Sequence, residues 1–117
     1  MANQVVHWEI GGRDLDRLSG FYRDLFGWDA AGFDPNYRLV DLGEGVGGGL
    51  MRCQDDMPTY VTIYVAVDDL ESTLGRVEEL GGKALLGATP IPGVGAFALF
   101  QDPEGNTIGI LDTRPAP

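Results

Sequence analysis

The side chains with chemistry to offer fall on a few alternating positions. In the stretch Val5-Val6-His7-Trp8-Glu9-Ile10, residues of alternate number share a face, so His7 and Glu9 look the same way. His7 is the only histidine in the chain. An imidazole titrates near neutrality, so His7 could bind a ligand or act as general acid and base. The other reading is a hydrogen-bonded histidine with no chemistry. Glu9 could orient that imidazole or help hold a cation, or it is simply a solvated charge. A metal held by both would need waters or Asp41 to complete it, which makes a weak site. In the second stretch, Val61-Thr62-Ile63-Tyr64-Val65-Ala66-Val67, the same alternation groups Thr62, Tyr64 and Ala66. Two later strands group Gly49 with Met51 and Gly109 with Leu111. With glycine at two of those four positions, room is expected for an apolar or flat ligand between Met51, Tyr64 and Leu111. A partner chain or a loop could equally fill that space. Cys53 has no second histidine to serve it and is not expected to be a nucleophile.

Those positions recur because the chain repeats itself. A shift of 55 residues lays Asp14-Leu15 on Asp69-Leu70, Leu25 on Leu80 and Gly27 on Gly82. A shift of 60 lays Gly49-Leu50-Met51 on Gly109-Ile110-Leu111. Each copy reads as strand, helix and three strands. In the first, a strand over 4–11 leads through an Asp14 N-cap into a helix over 15–26. Leu15, Leu18, Phe21, Tyr22 and Leu25 sit at helical spacing, and Trp8, Phe21, Tyr22 and Leu25 are expected in the core. Gly27 is placed to end the helix. Strands over 28–33, 37–42 and 47–53 follow, with Asp34-Pro35-Asn36 and Gly43-Glu44-Gly45 as turns. Their register is open: either Tyr37, Leu39 and Asp41 or Arg38, Val40 and Leu42 share the face of His7. Phe97, Leu99 and Gln101 carry the same ambiguity in the second copy. Trp28 could line a pocket mouth or a seam between chains.

The polar stretch Gln54–Pro58 reads as a linker between a first module over about 4–53 and a second over about 60–112, all within one domain, 1–117. The second module has a strand over 60–67, a helix over 69–80 capped by Asp68 or Asp69, and strands over 83–90, 94–101 and 106–112. Pro90 and Pro92 restrict their run to an edge or a bend. The end, 113–117, is expected to fray. Val46-Gly47-Gly48-Gly49 lacks a Gly-Lys-Ser/Thr ending and leads into a strand. It is therefore no phosphate loop, and its glycines point to a bulge or a close backbone approach.

A chain of 117 residues that is 44% hydrophobic can bury one core. Its net charge of -10, from 8 basic against 18 acidic side chains, argues against nucleic acid and anionic membrane surfaces. It suits a cationic or neutral small ligand. One cysteine permits no internal disulfide, and with no signal or membrane segment a reducing, cytoplasmic setting is expected. One Lys against seven Arg suggests a GC-rich bacterial source.

Val6-His7-Trp8-Glu9-Ile10, Asp14-Leu15 and Phe21-Tyr22-Arg23-Asp24-Leu25-Phe26-Gly27-Trp28 resemble the opening of the vicinal oxygen chelate superfamily. That group holds glyoxalase I, bleomycin-resistance proteins, fosfomycin-resistance enzymes and extradiol dioxygenases. Phe100-Gln101-Asp102-Pro103-Glu104-Gly105-Asn106-Thr107-Ile108-Gly109-Ile110 resembles its last hairpin. The resemblance implies an α+β fold in which two tandem βαβββ modules form a curved mixed sheet around a cup. It also implies a homodimer with the ligand in the cup. In metal-dependent members four positions supply the ligands, and here these are His7, Gly49, Thr62 and Gly109. Only His7 is a good donor, and both glycines remove the carboxylate base of the glyoxalase reaction. No metal and no other cofactor is therefore expected. The functional expectation is a metal-independent small-molecule binding protein of the glyoxalase/bleomycin-resistance type, an acidic cup for a cationic drug being its sharpest form. The ligand contacts would come from His7, Glu9, Met51, Thr62, Tyr64 and Leu111. The alternative is a metal-free enzyme, lyase- or isomerase-like, with His7 as acid/base assisted by Glu9 or Tyr64. A degenerate module acting only through protein contacts is a third.

Overall fold

The computed structural model describes residues 2–114, apart from the side chain of Phe33; the expected fraying at 115–117 lies outside the described residues. The element order is β1 (Val5–Gly12), α1 (Leu15–Phe26), β2 (Ala30–Asp34), β3 (Tyr37–Val40), β4 (Gly48–Arg52), β5 (Tyr60–Ala66), α2 (Leu70–Glu79), β6 (Lys83–Ile91), β7 (Gly95–Gln101) and β8 (Thr107–Asp112). This is βαβββ twice, an α+β fold. The chain divides into two compact units, Val6–Thr62 and Met1–Val5 with Ile63–Pro117. The stretch expected to link the modules, 54–58, and the first three residues of β5 therefore belong to the first unit. None of the described helices is long and apolar enough to cross a membrane.

In the first unit the strands run in the order β2-β3-β4-β1. β1 and β4 are parallel, with Trp8 opposite Gly48 and Gly12 opposite Arg52. The other neighbours are antiparallel. Asp14 caps α1 by accepting from the Arg17 N–H at 3.0 Å, and Gly27 ends the helix in the left-handed region at φ 74. Leu15, Val40 and Leu50 form the buried core, with Trp8, Ile10, Leu18, Tyr22 and Trp28 packed on it. Trp28 thus stacks inside this cluster, its ring 4.6 Å from that of Trp8 and 5.2 Å from that of Tyr22. Phe21 and Leu25 do not reach the core: they are 57% and 56% exposed. Leu15, Leu18 and Tyr22 are the α1 residues packed in this cluster; Phe21 lies about 120° around the helix from Leu15, and Leu25 falls in the last turn.

In the second unit the order is β5-β8-β7-β6, which leaves Pro90 on an edge strand. Asp69 caps α2 by accepting from the Ser72 N–H at 3.0 Å. Leu70, Leu74, Ala98 and Ile110 form its core, with Val65, Val67, Ala84, Ala96 and Phe100 around them. Asn3 and Gln4 join this unit through β5: Asn3 donates to the Ala66 carbonyl at 2.8 Å, and the Ala66 N–H donates to the Gln4 carbonyl at 2.9 Å.

Candidate functional site

Register decides which side chains meet. In the first unit Val40 is buried under α1, while Arg38 donates to Ser19 at 2.8 Å and pairs with Asp16 on that helix. Arg38 and Val40 therefore face the helix. Tyr37 and Leu39 lie on the opposite face of the sheet, the one that carries His7, Glu9 and Met51. In the second unit Ala96, Ala98 and Phe100 face α2, so Phe97, Leu99 and Gln101 take the other face, where the Phe97 ring meets Tyr64 edge-on at 6.2 Å.

Tyr37 and Tyr60 complete the first unit's polar cluster. His7 Nε2 and the Tyr37 hydroxyl are 2.8 Å apart, and their rings are near parallel at 17°. Tyr60 donates its hydroxyl to Glu9 Oε2 at 2.5 Å and lies 3.1 Å from the Met51 sulfur. The Tyr60 ring crosses the Cα of Gly11, where a Cβ would collide with it. Glu9 is only 6% exposed, so its carboxylate depends on such donors. Burial lowers the pKa of His7 below its ordinary value of 6.5, and the nearby Glu9 charge partly opposes that. His7 is therefore a neutral imidazole at pH 7, beside a phenol and two residues from a buried carboxylate.

The two glycines do not leave the expected room. A Cβ at Gly49 would fall within the Tyr37 ring, and one at Gly109 within the Tyr64 ring. Glycine on the last strand of each unit seats an aromatic ring instead of opening a space. Gly47 and Gly48 behave alike, the first against the Val40 carbonyl and the second under Trp8, so the glycine run serves close approach. Leu111 pairs with Phe97 across β7 and β8, and Tyr64 with Gly109 across β5 and β8. Thr62 is buried on β5 between exposed Val61 and Ile63, as alternation requires.

Of the expected site residues, His7, Glu9 and Met51 gather in the first unit, and Tyr64 and Leu111 lie on one face of the second. Sequence reading missed Tyr60 and left Tyr37 undecided. Tyr60 had a signal, since it shares the alternation of Thr62 and Tyr64. Tyr37 falls on Phe97 under the shift of 60, but only strand register orients it.

A metal of the kind used by metal-dependent relatives does not fit the residues at the corresponding positions. Of the four, only His7 brings a strong donor; its Nε2 is engaged by a phenol, and the Gly49 position lies under the ring of that same tyrosine. Among the described residues no three His, Cys, Asp or Glu side chains cluster for an ion.

This fold places the chain in a class that known proteins define. A family model described as a glyoxalase-like domain matches residues 8–111, and the chain belongs to that family. It is 33% identical over 128 residues to a glyoxylase-like domain-containing protein of Didymella fabae, covering 98% of this chain and 97% of that one. It is 35% identical over 107 residues to CFP32 of Mycobacterium tuberculosis, which carries a glyoxylase name. That match takes in 87% of this chain but only 40% of the mycobacterial protein's length. A methylmalonyl-CoA epimerase from M. tuberculosis shares the fold at a TM-score of 0.74 and 18% identity, over 95% of this chain and 88% of that one. A Mn(II)-bound glyoxalase from Novosphingobium aromaticivorans shares it at a TM-score of 0.68 and 21% identity, over 99% of this chain and 44% of that one.

Proposed function

We propose that this chain is a metal-independent small-molecule binding protein of the glyoxalase/bleomycin-resistance type, working as a homodimer in the cytoplasm. Its ligand contacts centre on His7, Glu9 and Met51, flanked by Tyr37 and Tyr60. Thr62, Tyr64 and Leu111 are proposed as further contacts. The observation that carries the reading is the His7–Tyr37 pair over Gly49. It occupies the nitrogen and the strand position that a metal site would need, and turns them into a neutral hydrogen-bonding surface. The 18 acidic side chains favour a neutral or cationic ligand. Native mass spectrometry and elemental analysis on protein purified without chelator test this. The expected result is a dimer with substoichiometric transition metal and an organic mass that His7→Ala releases. One transition-metal ion per chain, lost in His7→Ala, would overturn it.

A second reading has its own support. A neutral, half-buried imidazole beside a phenol is suited to proton transfer at pH 7. On this reading the chain is a metal-free enzyme of the family with His7 as general acid/base. A His7→Ala variant that keeps the ligand mass but no longer converts it decides for the enzyme.

A further inference from the structure

We propose that the first unit carries a second binding site, for a small molecule bearing a carboxylate or phosphate group, at the far end of β1 from His7. A cavity of about 410 Å³ opens there, lined by Arg13, Asn36, Arg52, Cys53, Gln54 and Asp55. That volume suits a small molecule. Gly12 lies about 16 Å along the strand from His7 at the usual rise per residue, so the cavity lies away from the His7–Tyr37 pair, with the Tyr60 ring and Cys53 meeting over Gly11 between the two.

Two arginines converge on it. Gly12 pairs with Arg52 in the parallel register of β1 and β4, so Arg13 and Arg52 emerge at neighbouring strand ends. The Arg13 guanidinium is fixed: it donates to the Asp55 carbonyl at 2.9 Å and to the Met57 carbonyl at 2.8 Å. The surrounding backbone is also tied, Arg52 N–H to the Asn36 carbonyl and Cys53 N–H to the Gly12 carbonyl, both at 2.8 Å. Among the described residues Arg23, Arg38, Arg76 and Arg114 pair with carboxylates, whereas Arg13, Arg17, Arg52 and Lys83 do not. Carboxylates outnumber cations 18 to 8 in this chain, yet neither guanidinium lining this cavity forms an ion pair. Bringing two like charges together is unfavourable unless an anion sits between them. Guanidinium groups bind carboxylate and phosphate oxygens in pairs, which sets the ligand class. Asp55 lines the same wall and offers its backbone carbonyl to Arg13. Asn36 and Gln54 add amide groups without charge.

The test is a titration of the full chain with sodium phosphate and, separately, sodium acetate. Ionic strength is held constant with chloride, and the arginine Nε–H signals are followed by NMR. The expected result is a saturable shift of Arg13 and Arg52 with at least one anion. Saturation by phosphate alone assigns a phosphate-bearing ligand, and saturation by acetate a carboxylate. Arg52→Gln should weaken binding roughly tenfold or more, since a charge-assisted pair is lost. Arg52→Lys should fall between, and Arg17→Gln should leave binding unchanged. No saturable shift with either anion, or undiminished affinity in a folded Arg52→Gln, would overturn the proposal.

Discussion

The two units share a frame and differ in what they hang on it. Both cap their helix with an aspartate, and both lay an aromatic ring over a glycine of the last strand, Tyr37 over Gly49 and Tyr64 over Gly109. The side chains on that face differ. Under the repeat shifts, His7, Glu9 and Tyr37 become Thr62, Tyr64 and Phe97. The first unit keeps an imidazole, a carboxylate and two phenols linked at 2.5–2.8 Å. The second keeps an edge-on Tyr64–Phe97 pair at 71°. Duplicated structure conserves what holds the sheet, namely caps and glycine seats, while the polar groups on its open face diverge. Of the side chains compared on that face, the imidazole and the carboxylate belong to the first unit.

The largest effects should be equal in the two units. Gly49→Ala and Gly109→Ala each push a Cβ into a ring and should cost about 1–3 kcal/mol in urea unfolding. Only Gly49→Ala should also move the His7 imidazole resonances. A tolerated Gly109→Ala would break the symmetry of the seats. Next comes Tyr60→Phe, which removes a donor from the buried Glu9 carboxylate and should cost about 1–3 kcal/mol. Combining it with Glu9→Gln should recover part of that loss, and strict additivity would show that the two groups do not interact.

Asp14→Ala and Asp69→Ala remove matched caps. Each should cost about 1 kcal/mol by denaturant melts, and a clearly unequal pair would mean that one helix is held mainly by packing. The smallest effect is a pH slope. His7 has a folded pKa below its ordinary value, so its contribution is fully present above about pH 7. It is lost as pH falls from there through the lowered folded value, because the unfolded chain binds the proton more readily. Urea melts between pH 7.5 and 5.5 should show stability falling. His7→Gln should flatten that slope, since no other histidine exists to produce one.

Much of the frame was legible beforehand. The shift of 55 pairs two Asp-Leu helix starts, and helix spacing with Gly27 places α1 at Leu15–Phe26 as expected. These signals are local: a cap and a left-handed glycine act within a few residues of chain. His7, Glu9 and Met51 were legible as one face for the same reason, because strand alternation is a property of the backbone. Phe21 and Leu25 were misjudged since helical spacing groups apolar residues but does not show how far around and along α1 the packed face extends.

The sequence by itself determined the double βαβββ order, the caps, the face shared by His7 and Glu9, and the poverty of metal donors at the family's ligand positions. Tertiary structure decided the partners: Tyr37 on His7, Tyr60 on Glu9, rings in place of open space at the glycines, and two arginines in one cavity. The physical reason is range. Dihedral preferences and alternation act between neighbours, whereas these contacts join residues 30 and 51 positions apart and exist only once strand register is set.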